Sequence, residues 1–151
     1  RAAPEKLHIG IRCTAKAAYD IACLLAVFIL AVANALAQTW NKELMQEIGN
    51  AIFREMKEYG CTFWLAPAMN IHRNPLCCRN FEYFSEDPYL TGTMAAAITR
   101  GVQQEEGYYV TIKHFACNNK EANRMGCDSR LSERALREIY LRGFEIVVKK
   151  A

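Results

Sequence analysis

Two stretches of the chain hold nearly all of its chemically capable side chains. The first, from Asn70 to Leu90, carries His72, Arg73, Arg79, Glu82, Glu86 and Asp87, and the second, from Lys113 to Met125, carries Lys113, His114 and Arg124 among four asparagine and glutamate side chains. Lys113 and Arg124 only donate hydrogen bonds, Arg79 donates through a planar fork, and His114 can donate or accept. A site rim built this way suits the hydroxyls of a sugar, or the oxygens of a phosphate or carboxylate. Glu82, Glu86 and Asp87 read as carboxylates that brace the loop or cap the helix after it, and His72 and Arg73 as braces of the same loop.

Positioning these groups falls to elements whose periodicity is plain. Asn41 is an N-cap for a helix over roughly 42–59, in which Leu44, Ile48, Ile52 and Met56 repeat at i+4 and Gly60 stands at C′. Cys61 to Ala66 is a short apolar run with β-formers closed by Pro67, which suits a buried strand. After a long loop, 68–87, Asp87-Pro88 opens a helix marked by Leu90, Met94, Ile98 and Val102, with Gly107 beyond it. Tyr108 to Ile112 reads as a second buried strand, and loop 114–131 leads to Ser132 as N-cap of a last helix striped by Leu136, Ile139, Tyr140, Phe144, Val147 and Val148. The order is α-β-α-β-α, so the fold class is α/β with right-handed parallel βαβ units. Both polar loops leave strands at their carboxyl ends, where parallel α/β proteins bind ligands.

Composition bounds the alternatives. The chain has 151 residues, 52% hydrophobic and 23% charged, with 8 Gly and 4 Pro, which excludes collagen-like and low-complexity chains and multi-domain arrays. A domain of this length buries roughly 68–70% of its unfolded surface and needs no disulfide or metal to hold a core. Nineteen Lys plus Arg against sixteen Asp plus Glu give a net charge of +3, spread along the chain rather than in a basic block, which argues against a nucleic-acid partner. The seven cysteines are an odd count without metal-site spacing. They read as free thiols, mostly small buried hydrophobes, in a reducing compartment, so no metal and no cofactor is expected and the localisation reading is cytoplasmic, with secretion as its alternative.

The segment Ile21 to Ala37 complicates that reading, because Asn34 is its only polar member and it ends in small residues. It resembles the apolar core of a signal peptide. Against this, the residues before it are long and mixed and include Glu5 and Asp20, and the run is short for a membrane span. The expectation is a buried helix, with membrane association disfavoured.

Asn70 to Pro88, Lys113-His114-Phe115, Asn118-Asn119 and Asn123-Arg124 together resemble the N-terminal barrel domain of glycoside hydrolase family 3, the β-glucosidase type. Ala35 to Asn41 and Ser132 to Leu141 fit the same pattern, and the order is kept with nearly ungapped spacing from about residue 30 to the end. The resemblance implies a sugar-contacting role for Arg79 in the innermost subsite, a hydroxyl-holding role for the pair Lys113 and His114, and a further sugar contact for Arg124. It implies a β-glucoside or oligosaccharide as substrate, and a fold that is part, about half, of a (β/α)8 (TIM) barrel, since whole barrels take roughly 250 residues.

Departures from the family pattern matter as much. Retaining glycosidases need two carboxyl groups about 5–5.5 Å apart. The resemblance places the nucleophile aspartate on a later strand and the acid/base later still, so no catalytic residue is assigned here. The family's upstream sugar-gripping aspartate has no counterpart in Cys13 to Ala17, and Leu30-Ala31 stands where the family has Phe-Pro. Cys78 replaces a glycine, which predicts backbone strain of roughly 1–2 kcal/mol if that position needs a positive φ. The expectation is a single partial family domain over 1–151 with a divergent region over 1–29. It would pair with another copy as a homo-oligomer, close into a small doubly wound sheet, or belong to a longer chain. The rival readings are a non-catalytic assembly or membrane-associated scaffold using the apolar 21–37 segment, and a plain sugar-binding module.

Overall fold

In a computed structural model of the chain, residues 33–151 are described. Most of the 21–37 segment therefore lies outside the described residues, and its last part, 33–37, is helical with Ala33 and Ala37 buried. Among the described residues no helix is long and apolar enough to cross a membrane.

Local signals in the sequence set the helix ends. The Asn41 side chain accepts from Leu44 N–H at 2.9 Å and starts α1, Lys42–Glu58. At its far end Gly60 adopts φ 67°, its N–H donates to the Lys57 carbonyl, and Cys61 N–H reaches back to the Met56 carbonyl at 2.8 Å. This is a Schellman closure, which needs a residue in the left-handed region and so finds glycine. Asp87 caps α2, Pro88–Val102, through Leu90 N–H, with Pro88 in the first turn. Ser132 caps α3, Glu133–Ala135, which runs through a π-helical turn, Leu136–Tyr140, into α4, Arg142–Lys150.

β1, Phe63–Trp64, and β2, Tyr109–Val110, pair in parallel with Phe63 opposite Tyr109 and Trp64 opposite Val110. They flank α2 in sequence, so the βαβ unit is present and the chain is α/β. The ladder is shorter than the apolar runs 61–66 and 108–112. Beyond it the register shifts by one residue, because the next bridge joins Ala68 to Lys113. The extra residue sits within Leu65 to Pro67, where the Ala66–Pro67 peptide is cis. Such a bulge bends the strand and re-aims the residues beyond it. Here it keeps Lys113 bonded on both sides, its N–H to Pro67 and its carbonyl to Met69 N–H at 2.7 Å.

The core lies between the helices and one face of the strands. α2 is buried nearly all round, with Met94, Ala95, Ala97, Ile98 and Val102 against Met45, Ile52 and Met56 of α1 on one side and Phe144 and Val147 of α4 on the other. Trp64, Val110 and Ile112 close this layer from the strands. Helices approach most closely where side chains are absent: Gly49 of α1 faces Gly101 of α2, and Gly92 of α2 takes the Ile146 side chain. The close approach at Gly92, together with the π turn's extra residue, moves α4's inward face. Ile146 is buried and Val148 is exposed, the reverse of the periodic expectation.

Among the described residues no element covers the opposite face of the strands. Phe63, Leu65 and Tyr109 are exposed, and the rings of Phe63 and Tyr109 stack at 5.4 Å. Cys77 is the buried thiol among the described cysteines, while Cys61 and Cys117 are half-buried and Cys78 and Cys127 exposed, so the reading of the cysteines as mostly buried fillers is corrected. The expected strain at Cys78 is also absent, since its φ is not positive; among the described residues the left-handed cysteine is Cys117, at φ 64°.

Candidate sugar-binding site

The two polar loops meet at the carboxyl ends of the paired strands, and one buried amide ties them. Asn70 accepts at Oδ1 from His114 N–H and donates from Nδ2 to the His114 carbonyl, both at 2.8 Å. Its Oδ1 also lies 3.2 Å from His114 Nδ1. The main chain of the Lys113-His114 pair is therefore fixed by a side chain 44 residues earlier. The Lys113–His114 and Phe115–Ala116 peptides are cis.

Arg79 stands beside this pair. It ends the turn Asn74 to Arg79 and precedes a single 3-10 turn, Asn80–Glu82, which brings Glu82 back under it. Arg79 Nε donates to Glu82 Oε1, and the Glu82 side chain is 4% exposed. That bond raises the Arg79 pKa further above its ordinary range. Burial lowers the Lys113 pKa, Glu82 opposes that, and Arg79 adds to it. Burial also lowers the His114 pKa, reinforced by the charges of Arg79 and Lys113. The geometric link is through consecutive residues: Glu82 bonds Arg79, and the ring of the adjacent Tyr83 lies 6.2 Å from that of His114, next to Lys113, so the neighbourhood of Arg79, Lys113 and His114 shares Glu82 as its buried carboxylate.

Tyr83 forms the floor. It is fully buried, its ring meets His114 at 6.2 Å, and its hydroxyl receives Asn118 Nδ2 at 3.1 Å. Asn118 also donates to Glu121 Oε1 at 2.6 Å, and Glu121 pairs with Arg124 at 3.3 Å. The Asn118 bond is the main cause that holds the Glu121 carboxyl below its usual range. Arg124 thus reaches the cluster through Glu121 and is 58% exposed, at the rim rather than in the group formed by Arg79, Lys113 and His114.

Neither carboxylate is disposed as an acid catalyst. Glu82 is committed to Arg79, and Glu121 is shifted down, whereas a general acid needs its pKa raised. Asp87 caps α2 and Glu86 is exposed. His72 Nε2 donates to the Tyr83 carbonyl at 3.0 Å and so braces the loop, while Arg73 is exposed. His72, Arg73, Asn80, Phe81 and Glu86 line a separate open depression of about 440 Å³ that shares no residue with the cluster. Among the described residues no group of three His, Cys, Asp or Glu could hold a metal ion. Asn70, Tyr83, Asn118 and Glu121 are the members that sequence reasoning leaves unassigned.

The floor predicts an alkaline response. Burial pushes the Tyr83 hydroxyl up from 10.0 to about 12. Between those values the unfolded chain has lost the proton and the folded chain keeps it, so stability falls with rising pH, at most by roughly 1.4 kcal/mol per pH unit. Below pH 10.0 the contribution is fully present. Urea unfolding at a series of alkaline pH values should show a steeper loss in the wild type than in Tyr83→Phe; equal slopes would rule out Tyr83 as the source.

A parallel α/β unit with a donor-rich, carboxylate-backed group of side chains at its strand ends has its polar loops where proteins of this fold class bind ligands. Comparison with known proteins makes the class specific. Residues 27–151 match the model of the glycosyl hydrolase family 3 N terminal domain, and the chain belongs to that family. It is 59% identical over 115 residues to β-glucosidase A of Butyrivibrio fibrisolvens, covering 76% of this chain and 14% of that protein. It is 49% identical over 119 residues to the exo-α-(1→6)-L-arabinopyranosidase of Bifidobacterium longum, covering 79% of this chain and 16% of that protein. The solved structure of β-glucosidase 3B from Thermotoga neapolitana in complex with glucose superposes with a TM-score of 0.76 at 62% identity, over 80% of this chain and 17% of that one. The chain therefore spans about a sixth of the length of these relatives.

Proposed function

We propose that this chain supplies part of the innermost sugar-binding subsite of a β-glucosidase-type glycoside hydrolase, with Arg79, Lys113 and His114 as the groups that hold hydroxyls and Arg124 at the rim. The observation that supports this is that two loops more than 30 residues apart are tied together here, Asn70 bonding the His114 main chain and the Tyr83 ring meeting His114, while Glu82 beside Tyr83 holds Arg79. Donors fixed this way favour a ligand that pairs all of them, because an unpaired buried donor costs roughly 1–3 kcal/mol. Arginine and lysine supply donors, and hydroxyls can accept from both. The relatives' names support glycosides as the substrate class, with both a glucosidase and an arabinopyranosidase at close identity.

The chemical step needs a carboxyl pair that this cluster does not offer, since its two carboxylates are engaged by arginines. In this reading the nucleophile and the acid/base come from residues outside this sequence, and the uncovered strand face at Phe63, Leu65 and Tyr109 is the inner face of a barrel to which other strands contribute. The scaffold alternative is not favoured by relatives that are glycosidases. Purified chain is expected to show negligible turnover of aryl β-glucosides. Turnover that survives rigorous purification and is lost in Glu82→Gln, or in Asp128→Asn at the exposed carboxylate paired with Arg130, would sink the assignment.

A further inference from the structure

The hydrogen bonds around Asn70 fix more than the main chain. The His114 carbonyl can only accept, so the Asn70 atom 2.8 Å from it is the NH2 group; the His114 N–H can only donate, so the atom it meets is the amide oxygen. That same oxygen lies 3.2 Å from His114 Nδ1 and has no proton to give. A neutral imidazole carries one N–H, and facing an oxygen that only accepts, it belongs on Nδ1. Nε2, across the ring, has no hydrogen-bond partner among the described residues.

We propose that Asn70 is a positioning residue that holds His114 as the Nδ1–H tautomer, so that Nε2 meets the ligand as a hydrogen-bond acceptor. The inference rests on the sugar-binding reading and deepens it. Arg79 and Lys113 have no acceptor atom, so a site made from them alone would read a hydroxyl only as an acceptor. A bare Nε2 beside them lets one hydroxyl accept from a cation while donating to the ring, a demand that a hydroxyl meets and an ether oxygen or a halogen does not. The charged and titratable groups around the ring agree with a neutral form. Arg79 and Lys113 both act against its protonation alongside burial, and Glu82 and Glu121, which act for it, are engaged by Arg79 and by Asn118 with Arg124. Tyr83, at its edge, is uncharged below strongly alkaline pH. His72 supplies an internal contrast, since its Nε2 faces the Tyr83 carbonyl and must carry the proton there.

The test is a long-range proton–nitrogen correlation spectrum of the 15N-labelled chain at mildly alkaline pH, where a ring nitrogen bearing hydrogen and one bearing a lone pair resonate far apart. The sequence has three histidines, and His72→Gln and His114→Gln assign their rings. His114 is expected as Nδ1–H and His72 as Nε2–H. Asn70→Asp places a carboxylate against Nδ1 and is expected to raise the midpoint of the His114 titration by about 1–3 pH units. An Nε2–H ring in the wild type overturns the proposal, and so does an unmoved midpoint in a folded Asn70→Asp. If that variant does not fold, the wild-type tautomer alone decides. Adding D-glucose separates the two readings. Glucose that moves no resonance removes the sugar reading and leaves the tautomer standing; an Nε2–H ring with glucose bound does the reverse.

Discussion

Arg79→Ala is expected to cost the chain both its ligand and a large share of its stability. Glu82 is buried under Arg79, and with the guanidinium gone its carboxylate faces a low-dielectric interior without its partner. Breaking a buried pair from one side typically costs about 3–5 kcal/mol, against a total stability of about 5–15 kcal/mol for a domain. Lys113 is close enough to feel Glu82, so the lower end of that range applies. The structural loss can be separated from the functional one. Arg79→Ala combined with Glu82→Leu removes both charges, and paired removal of a buried ion pair is often close to neutral. Urea unfolding should therefore show most of the stability returning in the double variant, while sugar binding stays lost. Return of binding with stability would make Arg79 a structural residue only.

The second large effect is expected at a glycine. A Cβ on Gly101 would collide with the Gln46 carbonyl oxygen and come within 2.8 Å of Asn50 N and of Gly49 Cα. All three are backbone, so no rotamer change relieves them, and α1 and α2 would have to part along the Met45, Ile52 and Met94 contact. Overpacking costs about 1–3 kcal/mol even where side chains can yield. Gly101→Ala is accordingly expected at about 3 kcal/mol or more, or a melting temperature lower by roughly 6–12 °C. Gly60→Ala is the useful comparison, because that position is open on all sides and only its φ of 67° resists a side chain, at roughly 1–2 kcal/mol. Thermal unfolding that ranks Gly60→Ala as the worse of the two would contradict the close helix crossing.

These two sites also show which features the residues announce. Helix ends are legible because capping is local: Asn41, Asp87 and Ser132 each lie within three residues of the N–H they satisfy. The parallel βαβ order follows from alternating periods. The strand lengths do not, since apolar runs do not reveal a one-residue bulge at Leu65 to Pro67 or the halt it puts to the ladder. Periodicity points Val148 inward, but a π turn upstream and the bare backbone of Gly92 turn Ile146 inward instead. Among the polar loop residues, Arg79, Lys113, His114 and Arg124 are picked out by the family resemblance rather than by charge, since His72, Arg73 and Lys120 lie in the same loops. Asn70 is not, because its meaning lies in a contact 44 residues away, and an asparagine in a loop reads as turn chemistry. Tyr83 is equally silent, since a buried hydroxyl is defined by its surroundings, and Glu82 reads as a loop brace, which its bond to Arg79 makes it, but not as a buried counter-charge.

The most direct test is a titration of the 15N-labelled chain with D-glucose at millimolar concentrations, followed residue by residue in amide and side-chain resonances. A sugar subsite in this cluster predicts saturable shifts centred on Arg79, Lys113, His114 and Asn118, abolished by Lys113→Met. No shifts in the folded wild type, or shifts confined to the depression lined by His72, Arg73 and Phe81, would contradict it.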